Sequence, residues 1–437
     1  MSAEGEGQAL WFPYYTVNGN HDTYFSLSNT SWLSKAVKVR FLEARHGRPV
    51  LDLAVYLAPH ASWTAAIYQT SADSPPVLRT SDLSCTTPAI PSEGLRFTTA
   101  SFDGTGSLPA DDAPEDVGRT REGSIEVIAG GDIGENTPTA SAIMPTSAGA
   151  APSGCAILPA VAAGDLIPPD NALYGSAAII DVEEGEYYAY NADAIADFTD
   201  TALMASPSGP LEPSLAQGNT GAYYFADGSG ARNLAVRTAE MDHGIDAVTA
   251  LFVADTISND FLVSRSLGAK TDWVVSYPTK RFYVDPVYSA VAAGAMGATA
   301  QSGTFHVDAF DRDAASALPA PTNVTLPYDL VNVLIIGRDD TAASLFGSQF
   351  TASLPISAEA GMIRLRTAQQ GSPGPGMTLE SSGDILYGSA VSGFMAYNIV
   401  NADAQPNRLA NYGAAFRHHL TKCDGPVVFP ASCRRWP

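Results

Sequence analysis

The side chains most able to do chemistry in this chain stand apart from one another. Seven histidines occur, at His21, His46, His60, His243, His306, His418 and His419. None forms an HxH pair or an HExxH helix face, so zinc or copper chemistry has no ligand set. His418 and His419, beside Arg417, read as a solvated edge. The stretch Gly388-Ser389-Ala390-Val391-Ser392-Gly393 lacks the spacing of a G-x-S-x-G nucleophile elbow, and neither a P-loop nor a G-x-G-x-x-G occurs. Asp52 or Asp181 paired with a second carboxylate would suit glycoside hydrolysis, but a chain with 46 acidic residues offers such pairs by chance. The expectation is a non-catalytic protein without a cofactor, calcium aside. The acidic loop 103–116 and the trio Asp308, Asp311 and Asp313 offer the oxygen donors a hard cation takes, though neither has EF-hand spacing. Solvated loop acids are the plainer reading of both.

Four cysteines, Cys85, Cys155, Cys423 and Cys433, allow three connectivities. The short, Pro- and Gly-containing loop from Cys423 to Cys433 suits a stapled turn, which pairs Cys85 with Cys155. No CxxC occurs, so zinc is not expected. Disulfides imply an exported protein at the cell surface or outside the cell. The leader Met1-Ser2-Ala3-Glu4-Gly5-Glu6-Gly7 is acidic and has no apolar region, which fits a mature chain whose signal peptide has been removed. No stretch of about 20 apolar residues predicts a membrane span. The net charge of -22 argues against nucleic acid and anionic membrane surfaces as partners.

The elements that must position any site read as strands. Val37, Val39 and Phe41 alternate with Lys38 and Arg40, and Leu51, Leu53, Val55 and Leu57 resume the period after a turn at His46-Gly47-Arg48-Pro49. Ala247–Asp255 and Arg281–Val284 also read as strands, with 251–262 open to a helix. A short helix is expected near 156–163. Consecutive aromatics on a strand point to opposite faces, so half of Trp11, Phe12, Tyr14 and Tyr15 should lie on the outer face, as an interface or covered by a neighbouring domain or loop. The apolar stretch Gln8–Val17 has the character of a strand able to add to a neighbour's sheet, or else pairs within its own domain. The partner would be a second copy or another surface protein, or a glycan stacked on the outer rings.

Leu173-Tyr174-Gly175-Ser176-Ala177 recurs as Leu386-Tyr387-Gly388-Ser389-Ala390, and Ala189-Tyr190-Asn191 as Ala396-Tyr397-Asn398. Such echoes point to a tandem duplication. The expected architecture is all-β: two tandem, similar β-sandwich domains, Ig-like or jelly-roll-like, with long loops and few short helices. They would span 8–205 and 215–422, followed by a disulfide-stapled tail, 423–437. The landmarks Phe12-Pro13-Tyr14-Tyr15-Thr16, Asn18-Gly19-Asn20, Gly118-Arg119-Thr120-Arg121-Glu122-Gly123 and Thr271-Asp272-Trp273-Val274-Val275 give most of the chain a likeness. It resembles exported or cell-surface β-rich proteins of Gram-negative bacteria. That resemblance implies a secreted β protein and carries no catalytic residues with it. The resulting expectation is a non-catalytic structural or adhesive surface protein. The alternative is a carbohydrate- or ligand-binding module or, less well supported, a glycan-active enzyme.

Overall fold

The alternation around Val37 builds the first sheet. The computed structural model describes residues 1–437 except 72, 148, 161–162, 206–208, 228–233, 290–302, 314–317, 340–341, 368–374, 380–381, 406–407 and 426–437. Strands dominate and helices are few and short, as the all-β expectation required. The chain divides into two compact units, Met1–Ile180 with Asn191–Asn219, and Asp181–Tyr190 with Thr220–Pro437.

The main strands of the first unit are β1 (Ala9–Thr16), β2 (Asp22–Asn29), β3 (Ser34–Glu43), β4 (Pro49–Leu57), β5 (Ser62–Tyr68), β6 (Glu122–Ile133) and β7 (Leu173–Asp181). One sheet runs Asp193–Ile195, β1, β6, β3, β4, Cys85–Thr87. The other includes β7, β2 and β5 in that order, followed by Val77–Arg79 and Leu95–Arg96. These pairings are antiparallel. Rings from both sheets meet in the core. Phe25 lies 6.0 Å from Phe12, 5.6 Å from Phe41 and 5.5 Å from Trp63, each edge-on.

One feature of this unit lies beyond what the period tells, and one expectation needs correcting. Val37, Val39 and Phe41 are buried as the period requires, but the opposite face of β3 is not solvated. Arg40 is only 1% exposed. Its Nε donates to Asp52 at 2.8 Å, and its Nη1 donates to the carbonyls of Leu211 and Pro213 at 2.8 and 3.0 Å. Leu215 N–H donates to Glu126 at 2.8 Å, so a distant strap covers this polar face. Second, Trp11, Phe12, Tyr14 and Tyr15 form no interface, because all four are fully buried. Strand β1 lies between β6 and Asp193–Ile195. Tyr14 donates to Glu122 at 2.8 Å and Tyr15 to the Thr120 carbonyl at 3.2 Å. The N-terminal strand pairs within its own sheet and has no edge to lend a neighbour.

The second unit uses β8 (Thr256–Leu262), β9 (Lys270–Ser276), β10 (Thr304–Asp311), β11 (Val331–Gly337), β12 (Thr351–Pro355), β13 (Ala360–Arg366), β14 (Ser392–Gln405), β15 (Arg408–Arg417) and β16 (His419–Thr421). One sheet runs β12, β11, β9, β14, β15, with β12 parallel to β11. The other runs Asn323–Thr325, β10, β13, β8, β16. Ile257, Phe261, Trp273, Leu334, Ile363 and Leu365 close one core between them. The expected strand over Ala247–Asp255 is instead a helix, Gly244–Phe252, buried on every side. An apolar run covered all round carries no period to tell helix from strand. Arg281–Val284 is likewise a helical turn, and Cys155–Ala160 a 3-10 turn.

The two pentapeptides sit in different settings. Leu173–Ala177 lies within one long strand paired to β2. Leu386–Ala390 breaks at Gly388, φ 130°, between short strands of two separate sheets. This pair of motifs therefore lends no structural support to a duplication. Cys85 and Cys155 are bridged, with Cα atoms 5.3 Å apart. Cys423 is also disulfide-bonded, and Cys433, its expected partner, lies outside the described residues.

Candidate functional site: an apolar groove in the second unit

Strand β14 places Met395, Tyr397 and Ile399 on one face, because side chains alternate along a strand. Phe416 of β15 stands opposite Met395 in the register. Its ring stacks on Tyr397 at 5.9 Å with an interplanar angle of 19°. Phe261 of β8, on the core face of the other sheet, and Phe310 of β10 and Met362 of β13, paired in register on that sheet's opposite face, complete the lining. Together they bound an open groove of about 1140 Å³. That is ample for a ligand, since typical sites span about 300–1,000 Å³. Two methionines in its walls give it the adaptability of surfaces that accept varied apolar partners.

The rim is polar, with Asn259, Asp260, Asp311, Arg312 and Arg364. The Arg364 guanidinium lies over the Phe310 ring, 5.6 Å from its centre. Neither Arg312 nor Arg364 forms an ion pair with a carboxylate among the described residues. The edge of β8 beside the groove is closed by side chains. Leu262 N–H donates to the Thr271 hydroxyl at 2.9 Å, and that hydroxyl donates to the Leu262 carbonyl at 2.7 Å. Trp273 Nε1 donates to the Asp260 carbonyl at 3.1 Å.

His418, expected at a solvated edge, is 5% exposed. Its Nε2 donates to the Val274 carbonyl at 3.0 Å, which leaves Nδ1 to accept from Asn259 Nδ2 at 3.2 Å. Burial lowers its pKa to about 4, so the ring is neutral. His419 is exposed, as expected.

The acidic trio is not gathered. Asp308 accepts from Arg366 Nε and Nη2 at 2.5 and 2.9 Å, Asp311 lines the groove, and Asp313 lies in an exposed turn. Among the described residues, the group with converging ligand atoms is His46, Asp111 and Asp112. There Arg119 holds both oxygens of Asp111, at 3.0 and 2.6 Å. In both places an arginine occupies the carboxylate a cation would need.

In the first unit the most exposed aromatic among the described residues is Trp32, 81% exposed, with His60 edge-on at 4.3 Å, beside a hollow of about 300 Å³. Tyr412 and Phe416 are the outward rings of β15, 60% and 49% exposed. Sequence reasoning passed over Met395, Tyr397, Ile399 and Phe416. Their strands carry apolar residues on both faces, so no alternation marked the groove side. Among the described residues no helix is long and apolar enough to cross a membrane. No family model matches the chain, and neither a curated protein nor a solved structure matches it, so the groove's own chemistry carries the functional reading.

Proposed function

We propose that this is a non-catalytic protein of the cell surface, structural or adhesive in role, whose second unit binds an apolar partner in the groove. The observation that carries this reading is the groove itself. An open cleft walled by Phe261, Phe310, Met362, Tyr397 and Phe416 leaves apolar surface in water, a cost that monomeric proteins seldom bear without a use for it. The Cys85–Cys155 bridge supports work outside the reducing cytosol.

The probe for the groove is the dye 1-anilinonaphthalene-8-sulfonate. It should bind saturably to the intact protein and about tenfold more weakly to a Tyr397→Ala/Phe416→Ala variant, the loss of roughly 1.4 kcal/mol of contact. Equal binding by both would remove the groove from consideration.

One observation favours a second reading, glycan hydrolysis: Asp260 and Asp311 line the same groove as Tyr397. Asp260 is solvent-exposed, the setting that least suits a general acid. Hydrolysis of an oligosaccharide that Asp260→Asn and Asp311→Asn each abolish would replace the binding account.

A further inference from the structure

Hydrogen-bond phase fixes which main-chain groups of β15 face outward. In an antiparallel ladder, alternate residues bond to opposite neighbours. On β11, Val333 N–H turns to the Phe350 carbonyl, away from β9. Strand β9 therefore gives Trp273 and Val275 to β11, and Asp272 and Val274 to β14. By the same alternation β14 gives Gly393, Met395 and Tyr397 to β15. The bond from His418 N–H to the Gly393 carbonyl, at 3.3 Å, lies in this phase. Tyr412, Ala414 and Phe416 thus bond inward to β14, while Asn411, Gly413 and Ala415 direct their N–H and C=O groups outward. Among the described residues the main-chain groups of Gly413 and Ala415 have no partner on that side.

The two faces of β15 differ. Tyr412, Ala414 and Phe416 stand opposite Ile399, Tyr397 and Met395, on the groove side. The other face is covered by the segment Asp181–Tyr190. There Asn411 Nδ2 donates to the Glu184 carbonyl at 2.9 Å, and a Cβ on Gly413 would stand 3.0 Å from the Tyr187 carbonyl oxygen. A strand laid along β15 would therefore send every second side chain into the groove, with its main chain bonded to Gly413 and Ala415.

We propose that the groove's occupant is an extended segment of another polypeptide, apolar at alternate residues and bearing a carboxylate, which adds to β15 as a further strand. This rests on the groove being a binding site. Charge supplies the carboxylate. Arg312 and Arg364 stand at the groove rim, and neither has a carboxylate partner among the described residues. The chain's own β1 is excluded as donor, being locked inside its own sheet. The edge of β8 is excluded as acceptor, because Thr271 and Trp273 already occupy its outward groups.

The test uses the full chain and a fluorescein-labelled nonapeptide that alternates valine with threonine and carries glutamate at both ends. Ala415→Pro removes one outward N–H from an edge position where proline is tolerated, and should weaken the peptide at least about tenfold. Dye affinity in the groove should stay within about twofold, since the dye makes no ladder bond. Arg364→Gln should weaken the peptide severalfold, and more at low salt. A measurement on the unmodified protein stands beside these in case Ala415→Pro misfolds. Peptide binding should slow hydrogen exchange at the Gly413 and Ala415 amides by about tenfold or more and leave Ala414, already bonded to β14, unchanged. Absence of peptide binding, equal binding by Ala415→Pro, or unprotected 413 and 415 amides would each overturn strand addition. If an oligosaccharide binds in the peptide's place and leaves those amides unchanged, strand addition is likewise overturned. The binding-groove reading falls separately, on dye binding that ignores Tyr397→Ala/Phe416→Ala.

Discussion

Acid should loosen the corner beneath the groove through His418, by an amount the structure sets. Lowering the pH in the native protein and in His418→Gln is the informative perturbation. The ring packs 4.9 Å from Trp273, donates from Nε2 to Val274, and accepts at Nδ1 from Asn259. A second proton would turn Nδ1 into a donor facing the Asn259 amide donor. Burial has already lowered the pKa from 6.5 to about 4. Because the folded value is the depressed one, the unfolded chain takes the proton first. The stability this histidine contributes is therefore whole above about pH 6.5 and lost as pH falls towards 4. A fall from 6.5 to about 4, at about 1.36 kcal/mol per unit, is about 3 kcal/mol. The glutamine of the variant would not titrate, and its amide keeps a donor for Val274. Urea unfolding of both proteins at about pH 7, 5.5 and 4 measures the difference, in which other titrating groups cancel. The variant should be the weaker protein at pH 7 by about 1 kcal/mol, the typical worth of one imperfect hydrogen bond. The gap should then move by about 3 kcal/mol in the variant's favour towards pH 4. Parallel stability curves would refute the buried, neutral histidine and the corner built on it.

Three other outcomes follow from single contacts. Replacing Cys85 and Cys155 by alanine opens a loop of 70 residues and should cost about 3–4 kcal/mol in chemical denaturation, with non-reducing peptide mapping confirming the bridge. Lys422 donates to the carbonyls of Ala250, Leu251 and Val253 at 3.0, 2.8 and 2.5 Å, at the end of the helix Gly244–Phe252. Lys422→Met should therefore cost about 2–4 kcal/mol by thermal melting, leaving those acceptors unbonded. Burial raises the Asp272 pKa to about 7, so its contribution favours the fold at low pH and is lost as pH rises from 3.8 to about 7; Asp272→Asn should flatten that part of the stability profile.

The legible part of this fold was the part governed by local period. Val37, Val39 and Phe41 face the core as their spacing requires, and β4 follows from the same rule. The paired aromatics of β1 misled because alternation says that two faces exist and not what covers them. Strand β1 turned out to be internal, so both rings of each pair are buried. The period is equally silent on Arg40, whose cover comes from Leu211 and Pro213, far along the chain. Residues 244–252 were ambiguous because the helix is buried all round, its polar residues Asp246 and Thr249 meeting Tyr283 and not solvent. Of the expected site residues, only Asp311 lines the groove. Asp308 answers to Arg366, a pairing that arises from the strand register and not from nearness in sequence.

The second unit treats its strand edges unequally. A bare strand edge invites association, and stable monomers blunt it with charge, proline, a bulge or a covering group. Strand β8 is blunted by dedicated side chains: Thr271 commits its hydroxyl to both main-chain groups of Leu262, and Trp273 its only donor to Asp260. Strand β15, across the same groove, is covered at its C-terminal end, where Asn259 Nδ2 donates to the Phe416 and Arg417 carbonyls at 3.1 and 3.3 Å, but not along its middle. Between Arg408 and Arg417 it has neither charge nor proline, and its middle is Gly413-Ala414-Ala415. Its outward groups at Gly413 and Ala415 are left beside two exposed rings, Tyr412 and Phe416. Neglect would have to leave one edge bare while sealing another beside the same groove; selection for a strand-shaped partner asks for this arrangement. The groove then needs no further pocket, since the partner's alternate side chains would finish the core that Met395 and Tyr397 leave open.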